Sequence, residues 1–390
     1  MRRAVRALLA VLLVVAVPLA ATGTATAQST SPVGGTRLGE ANVTIWSGAP
    51  GVAPPPEPLV SAWLIADATT GAVLAARNPH QRLRPASTLK TLTALTLLPR
   101  LDPAASYTAV DADALQDGSR VGMVPGTTYS IPSLFDGLLM SSGNDAAHAL
   151  ANAAGGFGPT VALMNETARE LQAYDTVAAN PSGLDDDVQV TSVYDLALIA
   201  RAGLAREDFR SYVAKQRSYF GGVDGSNGFE IQNHNKLLAN YPGAIGVKTG
   251  YTSVSLHSIV GAASREGRTL IVAILGAQTT PWPDAAALLD WGFAQAATTA
   301  SVGTLVGRRA AEPTPAPTAV VSAATDPSPR GETTSQAALR AWEPKSWEYV
   351  AVGTIVLLGA AATTVGVRSR RRRQRRLSRM RTAALRAGRR

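Results

Sequence analysis

The chain of 390 residues contains no cysteine and only four histidines. The absence of cysteine excludes disulfide bonds, thiol nucleophiles and metal sites built on thiolates. The histidines have no spacing typical of metal ligands; they are His80, His148, His234 and His257. Nucleotide-binding motifs of the G-x-G-x-x-G and P-loop types are also missing. The sequence therefore predicts a protein that uses no cofactor and is held together by its core alone.

The first 27 residues have the order of a secretory signal peptide. Arg2, Arg3 and Arg6 precede an apolar run, and the small residues Ala25 and Ala27 follow it. We predict cleavage after Ala27, with a retained N-terminal membrane anchor as the alternative. The folded part of the chain that follows is expected outside the cytoplasm.

A second apolar run, residues 349–367, contains 19 residues and no charge. At 1.5 Å per residue it would extend about 28 Å, close to the hydrocarbon thickness of a bilayer. Trp342, Trp347 and Tyr349 lie on its N-terminal side, where interfacial aromatic residues are common. We predict a single membrane-spanning helix over residues 348–367, with a buried helix of a soluble domain as the alternative.

The charge of the chain is concentrated in its last segment. Residues 368–390 contain 12 arginines and no acidic residue, and the signal peptide contains three more arginines. The remaining chain has 22 basic and 28 acidic residues, a net charge of −6. A basic run beside a membrane span follows the positive-inside rule, so it predicts a cytoplasmic tail and no nucleic-acid partner.

Between these ends, the pattern predicts one folded domain over residues 58–300. Residues 28–57 are rich in glycine, proline and serine and are expected to lack regular structure, and residues 301–347 form a Pro/Ala/Thr-rich linker. A strand hairpin comes first, with its turn at Gly71, followed by a block of helices, three strands and a terminal helix. This order predicts an α+β fold with an antiparallel sheet flanked by helices. The first hairpin and the terminal helix are expected on one face of a sheet made from both chain ends.

Ser87 and Lys90 lie three residues apart in "LRPASTLKTLTALTLL", an otherwise apolar helical stretch. Positions i and i+3 share one face of a helix, so the lysine amine can reach the serine hydroxyl. A desolvated, neutral lysine can take the proton of that hydroxyl and make a nucleophile without histidine. By itself the S-x-x-K spacing is common and has little specificity.

Two further motifs follow in order. Ser142-Gly143-Asn144 lies between two helical patterns, and Lys248-Thr249-Gly250 lies in a predicted strand. S-x-x-K, S-x-N and K-T-G together are typical of penicillin-binding proteins and serine β-lactamases. The chain resembles the serine D-alanyl-D-alanine carboxypeptidases, the low-molecular-mass penicillin-binding proteins of peptidase family S11, over about residues 58–298. Other similar stretches are "VALMNETARELQAYDT", "ANPSGLDD", "TSVYDLALIAR" and "NHNKLLANYPGAIGVKTGYT".

The resemblance implies a role for each motif residue. Ser87 would attack the carbonyl between two D-alanines and form an acyl-enzyme, and Lys90 would be its general base. Ser142 would relay a proton to the leaving D-alanine. Asn144 would hydrogen-bond Lys90 and the substrate amide.

The K-T-G strand would bind substrate. Lys248 would raise the local positive potential, and Thr249 would bind the terminal carboxylate. Gly250 would leave room for substrate along the strand edge. The backbone N–H groups of Ser87 and Tyr251 would form the oxyanion hole.

The chain departs from the family pattern at several places. Ser255-Leu256 and then His257 follow the K-T-G strand, where the family commonly has Ala-Gly, and these larger residues are expected to reshape the sheet edge. Gln172 stands where glycine is usual. The second, β-rich domain of many members is not apparent, and the predicted span replaces an amphipathic C-terminal anchor.

The resemblance, together with the predicted signal peptide and span, implies a membrane-tethered D-Ala-D-Ala carboxypeptidase that trims peptidoglycan stem peptides outside the cytoplasm, without a cofactor, and is acylated by β-lactams. One alternative is a serine β-lactamase, for which Glu166 in "MNETA" is the candidate base for deacylation. The other is a non-catalytic, membrane-anchored cell-wall binding protein. Endopeptidase and transpeptidase activity on the same substrates stay open.

Overall fold

The computed structural model describes residues 31–295 and 299–309. In chain order, its α-helices are Lys90–Leu97 (α1), Asp111–Ala114 (α2), Ile131–Leu139 (α3), Asn144–Ala153 (α4), Phe157–Glu170 (α5), Val193–Leu204 (α6), Glu207–Val213 (α7), Leu237–Asn240 (α8) and Trp282–Ala294 (α9). Short 3-10 helices cover Thr36–Gly39 and Ala86–Leu89. The strands are Thr44–Trp46 (β1), Ala62–Asp67 (β2), Ala72–Arg77 (β3), Ser106–Thr108 (β4), Thr128–Ser130 (β5), Arg217–Phe220 (β6), Phe229–Gln232 (β7), Ala244–Thr252 (β8), Leu256–Arg265 (β9), Arg268–Ala277 (β10) and Gly303–Thr304 (β11).

The main sheet has the strand order β1-β3-β2-β10-β9-β8, and β11 pairs with β3 beside β1. All of its pairs are antiparallel, which confirms the predicted α+β fold with an antiparallel sheet. The first hairpin is part of this sheet and does not lie on its face, because β2 pairs with β10 through six residues. Among the described residues, β8 has a neighbour on one side only, so its other edge is open.

Residues alternate between the two faces of the sheet along each central strand. In β2, Trp63 and Ile65 pack in the core formed with α9, whereas Leu64 and Ala66 pack in the core formed with the other helices. This period of two is the period of a strand whose faces are both covered. The sheet therefore separates two apolar layers, with α9 on one side and α6 on the other.

Helix α1 lies inside the helical layer and contacts α3, α5 and α6. All eight of its residues are buried, and two of its buried threonine hydroxyls donate to backbone carbonyls, Thr91 to Thr88 and Thr93 to Pro181. Two of the surrounding helices begin at serine caps: the Ser130 hydroxyl accepts from the N–H of Ser133, and the Ser192 hydroxyl accepts from the N–H of Asp195. The surrounding helices cover most of α1, and only its N-terminal end lies beside a surface cleft.

The structure differs from the sequence prediction at both boundaries of the domain. Residues 28–57, predicted without regular structure, include β1, where Ile45 is buried and pairs with Ala76. The predicted linker begins at residue 301, yet β11 lies inside it and Leu305 is buried. Both strands are short and pair through backbone groups at the sheet edge, so no hydrophobic pattern marks them in the sequence.

The predicted signal peptide (1–27), the predicted span (348–367), the basic tail (368–390) and most of the linker lie outside the described residues. Within residues 31–295 and 299–309, none of the helices has both the length and the hydropathy needed to cross a bilayer.

Candidate active site

Ser87 and Lys90 come together where a 3-10 turn runs into α1. Ser87 lies in the turn, Lys90 is the first residue of the helix, and the Lys90 amine nitrogen lies 3.0 Å from Ser87 Oγ, within hydrogen-bond distance. Lys90 is fully buried. The structure thus places an amine in contact with a hydroxyl and away from bulk water.

The Lys90 amine has two further hydrogen-bond partners. It donates to Asn144 Oδ1 at 2.6 Å and to the backbone carbonyl of Ser182 at 2.5 Å. The Asn144 amide is held in this orientation because its Nδ2 donates to the carbonyl of Asp117 at 2.6 Å. Asn144, the third residue of the S-x-N motif, is therefore in contact with the predicted base.

Burial lowers the pKa of Lys90 well below its usual value of 10.5. The positive charge of Lys248 lowers the Lys90 pKa further, and the carboxylate of Asp145 opposes both effects. Burial also lowers the pKa of Lys248, to about 7. These shifts favour a neutral amine at Lys90, the form that a general base needs.

Ser142 lies in the two-helix junction between α3 and α4 and is almost fully buried. Its φ of 61° is in the left-handed region, which residues other than glycine rarely adopt. The junction is held by a hydrogen bond from the N–H of Gly143 to the carbonyl of Gly137. Ser142 and Ser87 line the same cleft.

Lys248, Thr249 and Gly250 lie on the open edge strand β8. The Lys248 amine donates to the carbonyl of Thr249 at 2.7 Å. A Cβ added to Gly250 would lie 2.6 Å from Ser258 Oγ and 2.7 Å from the backbone nitrogen of Ser87. The missing side chain at Gly250 therefore lets β8 approach the backbone of Ser87, a use that differs from the predicted room for substrate.

The cleft has a volume of about 280 Å³. Five predicted site residues line it, namely Ser87, Ser142, Thr249, Gly250 and Tyr251. Lys90, Asn144 and Lys248 are buried beneath. The cleft is also lined by residues to which sequence reasoning gave no role: Ser119, His234, Lys236, Ser258, Thr280, Pro281 and Trp282. His234 and Lys236 belong to the "NHNK" stretch that resembles the family, and this resemblance could have indicated that they lie at the site.

The residues that depart from the family pattern lie at the β8–β9 hairpin and after the end of α5. His257 pairs with Tyr251 across the β8–β9 hairpin, with ring centroids 4.4 Å apart, and both rings line the cleft. Leu256 has a φ of 61° and closes the hairpin turn. Gln172 also has a left-handed φ of 60°, directly after the end of α5, which explains why glycine suits that position.

Asp145 is a buried carboxylate that sequence reasoning did not single out. Its two oxygens accept hydrogen bonds from the backbone N–H groups of Val121, Gly122 and Met123 at 2.8–3.1 Å. It thereby fastens the segment around residues 117–123 to the start of α4. Asn144 contacts the same segment at Asp117, so two adjacent residues hold this wall of the cleft.

The chain is similar in sequence to the members of one peptidase family. Residues 52–279 match the model of the peptidase S11 family, D-alanyl-D-alanine carboxypeptidase. The chain is 41% identical to the D-alanyl-D-alanine carboxypeptidase DacB2 of Mycobacterium tuberculosis over 251 residues, which is 63% of this chain and 86% of the relative. It is 31% identical to DacF of Bacillus subtilis, covering 58% of this chain and 60% of the relative.

Solved structures give the same result. The crystal structure of a D-alanyl-D-alanine carboxypeptidase from Mycobacterium tuberculosis H37Rv matches with a TM-score of 0.63 at 40% identity, covering 67% of this chain and 99% of that chain. The DD-transpeptidase of Streptomyces K15 matches with a TM-score of 0.59 at 26% identity, covering 62% of this chain and all of that chain. Because the family model spans more than half of the sequence, the chain belongs to the peptidase S11 family of D-alanyl-D-alanine carboxypeptidases.

Proposed function

We propose that the chain is a serine-type D-Ala-D-Ala carboxypeptidase that removes the terminal D-alanine from peptidoglycan stem peptides through an acyl-enzyme on Ser87. Family membership supports a hydrolase of this substrate class that binds β-lactams. The observation that carries the serine mechanism is the buried amine of Lys90, 3.0 Å from Ser87 Oγ.

The hydrogen bonds of Lys90 explain how the amine can accept a proton. A neutral amine has two N–H groups and one lone pair, and a carbonyl oxygen can only accept. The two N–H groups of neutral Lys90 therefore go to Asn144 Oδ1 and the Ser182 carbonyl. The lone pair is left facing Ser87 Oγ, which is the direction needed to take the hydroxyl proton.

Acylation then follows from these positions. Ser87 Oγ attacks the carbonyl carbon of the bond between the two D-alanines, and its proton passes to Lys90. The backbone N–H groups of Ser87 and Tyr251 bind the oxyanion, each donor stabilising it by roughly 3 kcal/mol. The C–N bond breaks as Ser142 relays a proton to the leaving amine, which departs as D-alanine.

Deacylation repeats the first step with water. Lys90 takes a proton from a water molecule that attacks the ester carbonyl, and Ser87 regains its proton as the shortened peptide leaves. Lys248 and Thr249 hold the substrate's terminal carboxylate during acylation, by positive potential and by a hydroxyl hydrogen bond. The open edge of β8 accepts the extended peptide as an added strand.

The β-lactamase alternative is not favoured. Fast hydrolysis of a penicilloyl ester needs a base that positions water, and Glu166 was the sequence candidate. Glu166 is exposed on α5 and does not line the cleft. The lifetime of the penicilloyl adduct separates the two functions, because a β-lactamase would release it within the assay time.

We also propose that the enzyme is tethered to the cell membrane by the span over residues 348–367, with the folded domain outside and the arginine tail inside. The support is the sequence pattern alone: an uncharged run of 19 residues followed by 12 arginines. Protease digestion of intact cells tests this topology. Loss of the folded domain with protection of the tail is the expected result.

The purified full chain and its Ser87→Ala variant provide the decisive experiment. Incubation with a diacyl-D-Ala-D-Ala peptide should release D-alanine, and intact-mass spectrometry after penicillin exposure should show one adduct on Ser87. The variant should show neither. Absence of both in the unaltered protein would refute the proposal.

A further inference from the structure

The loop formed by residues 179–189, which we call the Asn180 loop, is closed by one amide side chain. Asn180 Oδ1 accepts from the N–H of Ser182 at 3.1 Å, from the Ser182 hydroxyl at 2.9 Å and from the N–H of Gly183 at 2.8 Å. Asn180 Nδ2 donates to the carbonyl of Leu184 at 3.0 Å. One side chain thus fixes three consecutive residues of the loop.

A second amide closes the same loop from its other end. Gln189 Oε1 accepts from the backbone N–H groups of Ala179 and Asn180 at 3.0 and 3.1 Å. Gln189 Nε2 donates to the carbonyl of Leu184 at 2.6 Å. Gln189 is buried, so these bonds are shielded from water.

The Asn180 loop contacts the catalytic turn at two points. The carbonyl of Ser182 accepts from the Lys90 amine at 2.5 Å. A Cβ added to Gly183 would lie 1.9 Å from the carbonyl oxygen of Ala86, the residue before the nucleophile. Ala86 has a φ of 49°, a conformation that persists only where surrounding contacts enforce it.

We propose that Asn180 is a positioning residue for acylation: it holds the Ser182 carbonyl on Lys90 and Gly183 against Ala86. The inference rests on the proposed function, because it concerns the step in which Lys90 takes the proton of Ser87. The Asn180 side chain is hydrogen-bonded to neither Ser87 nor Lys90, so it acts through the backbone of Ser182 and Gly183.

The physical reason lies in the direction of the Lys90 lone pair. If the Ser182 carbonyl moves away, one N–H of the neutral amine loses its acceptor and the lone pair is no longer directed at Ser87 Oγ. The ammonium form loses a hydrogen bond as well, so its pKa falls. The charged groups facing Lys90 are Lys248 on β8 and Asp145 on α4, and in the described part of the chain neither is hydrogen-bonded to the Asn180 loop.

The test compares Asn180→Ala with Asn180→Asp by the rate constant of penicillin acylation per active site, measured across pH. We expect Asn180→Ala to acylate about 10- to 100-fold more slowly, with the rising limb of its pH profile at lower pH. Asn180→Asp keeps the acceptor oxygen and adds a negative charge that favours the ammonium. Its rising limb should therefore move to higher pH, and it should lose less rate.

Asn165→Ala is the matched control. Asn165 holds Ala178, one residue before the Asn180 loop, through bonds at 2.8 and 2.9 Å, and it does not contact Ser182. We expect a lower melting temperature with an unchanged acylation rate per active site. If Asn180→Ala behaves like this control, with a wild-type pH limb, the positioning role is overturned.

A folding failure of Asn180→Ala would be recognised by a low number of titratable active sites. Gln189→Ala, which loosens the same loop from its other end, then provides the test. Slower acylation, with the rising limb of the pH profile shifted, supports the proposal, and a wild-type acylation rate overturns it.

If the unaltered protein forms no adduct, the proposed function fails and this inference with it. An adduct combined with unaffected variants overturns this inference alone.

Discussion

The amide of Asn144 is fixed at both ends: its Oδ1 accepts from Lys90 at 2.6 Å and its Nδ2 donates to the carbonyl of Asp117 at 2.6 Å. An amide held in this way cannot rotate to offer its NH₂ group to the lysine. The orientation therefore makes Asn144 an acceptor for Lys90, which keeps the lysine's remaining lone pair available for Ser87.

We predict that Asn144→Ala slows penicillin acylation about 10- to 100-fold, because Lys90 loses one of the two acceptors that orient it. Stability should fall by about 1–3 kcal/mol, the usual cost of leaving buried polar groups unsatisfied. Stopped-flow acylation and thermal unfolding measure the two effects. Asn152→Ala is the matched control on the same helix, since Asn152 contacts Tyr107 and Asp113 away from the cleft. Equal acylation rates in the two variants would contradict the prediction.

The pH dependence of turnover should be bell-shaped. Activity rises as Lys90 loses its proton, at a pH well below 10.5, because burial lowers the pKa of this amine. It falls above about pH 7 as Lys248 loses the charge that attracts the substrate carboxylate, because burial lowers the Lys248 pKa to about 7. Lys248→Arg keeps the charge at all accessible pH values and should move the falling limb upward. A wild-type rate that still rises at pH 10 would contradict this assignment.

Gly250→Ala should slow acylation about 100-fold or more, since a misplacement of the order of 1 Å at a reacting centre has effects of this size. The added Cβ would lie 2.7 Å from the nitrogen of Ser87 and must push β8 away from the nucleophile. Gly267→Ala is the control, because nothing lies within 4 Å of its added Cβ, although its φ of 78° makes that variant somewhat less stable. A normal adduct rate in Gly250→Ala would show that β8 need not approach so closely.

Asp195 should make the fold less stable as pH rises. Burial raises its pKa to about 7, the neighbouring Asp175 raises it too, and the Thr176 hydroxyl and His80 oppose them. The unfolded value is near 3.8, so between about pH 4 and 7 the folded state keeps a proton that the unfolded state has lost. Stability therefore decreases across that interval. Asp195→Asn should remove the decrease and raise stability at pH 8 by roughly 1–3 kcal/mol, with little effect at pH 4. Melting temperatures at the two pH values provide the check.

The sequence was sufficient to pick out the proposed nucleophile, the proposed base and the K-T-G strand, because each is marked by a side chain in a spaced motif. The structure places Ser87, Lys90, Ser142 and Gly250 around one cleft and its floor. The second acceptor of Lys90, beside Asn144, could not be predicted in this way. It is the backbone carbonyl of Ser182, and any residue at that position supplies the same atom.

The fold was predictable where chain order and apolar periodicity decide it, as in the three long strands β8, β9 and β10. Periodicity did not reveal β1 or β11, which have three and two residues and pair at the rim of the sheet. It also did not show that the first hairpin lies within the sheet. The pairing of residues far apart in the sequence, such as Trp63 and Ile274, cannot be recognised from the residues around either of them.

The strand β11 has a practical consequence for making shortened forms of the enzyme. The family match ends at residue 279, yet Tyr194 Oη donates to the carbonyl of Thr304 at 2.7 Å and Leu305 is buried. A protein truncated just after α9 would expose the apolar surface that Leu305 covers. It would also leave part of the β3 edge unpaired, and an unpaired strand edge promotes aggregation. Soluble preparations should accordingly retain the chain through residue 309.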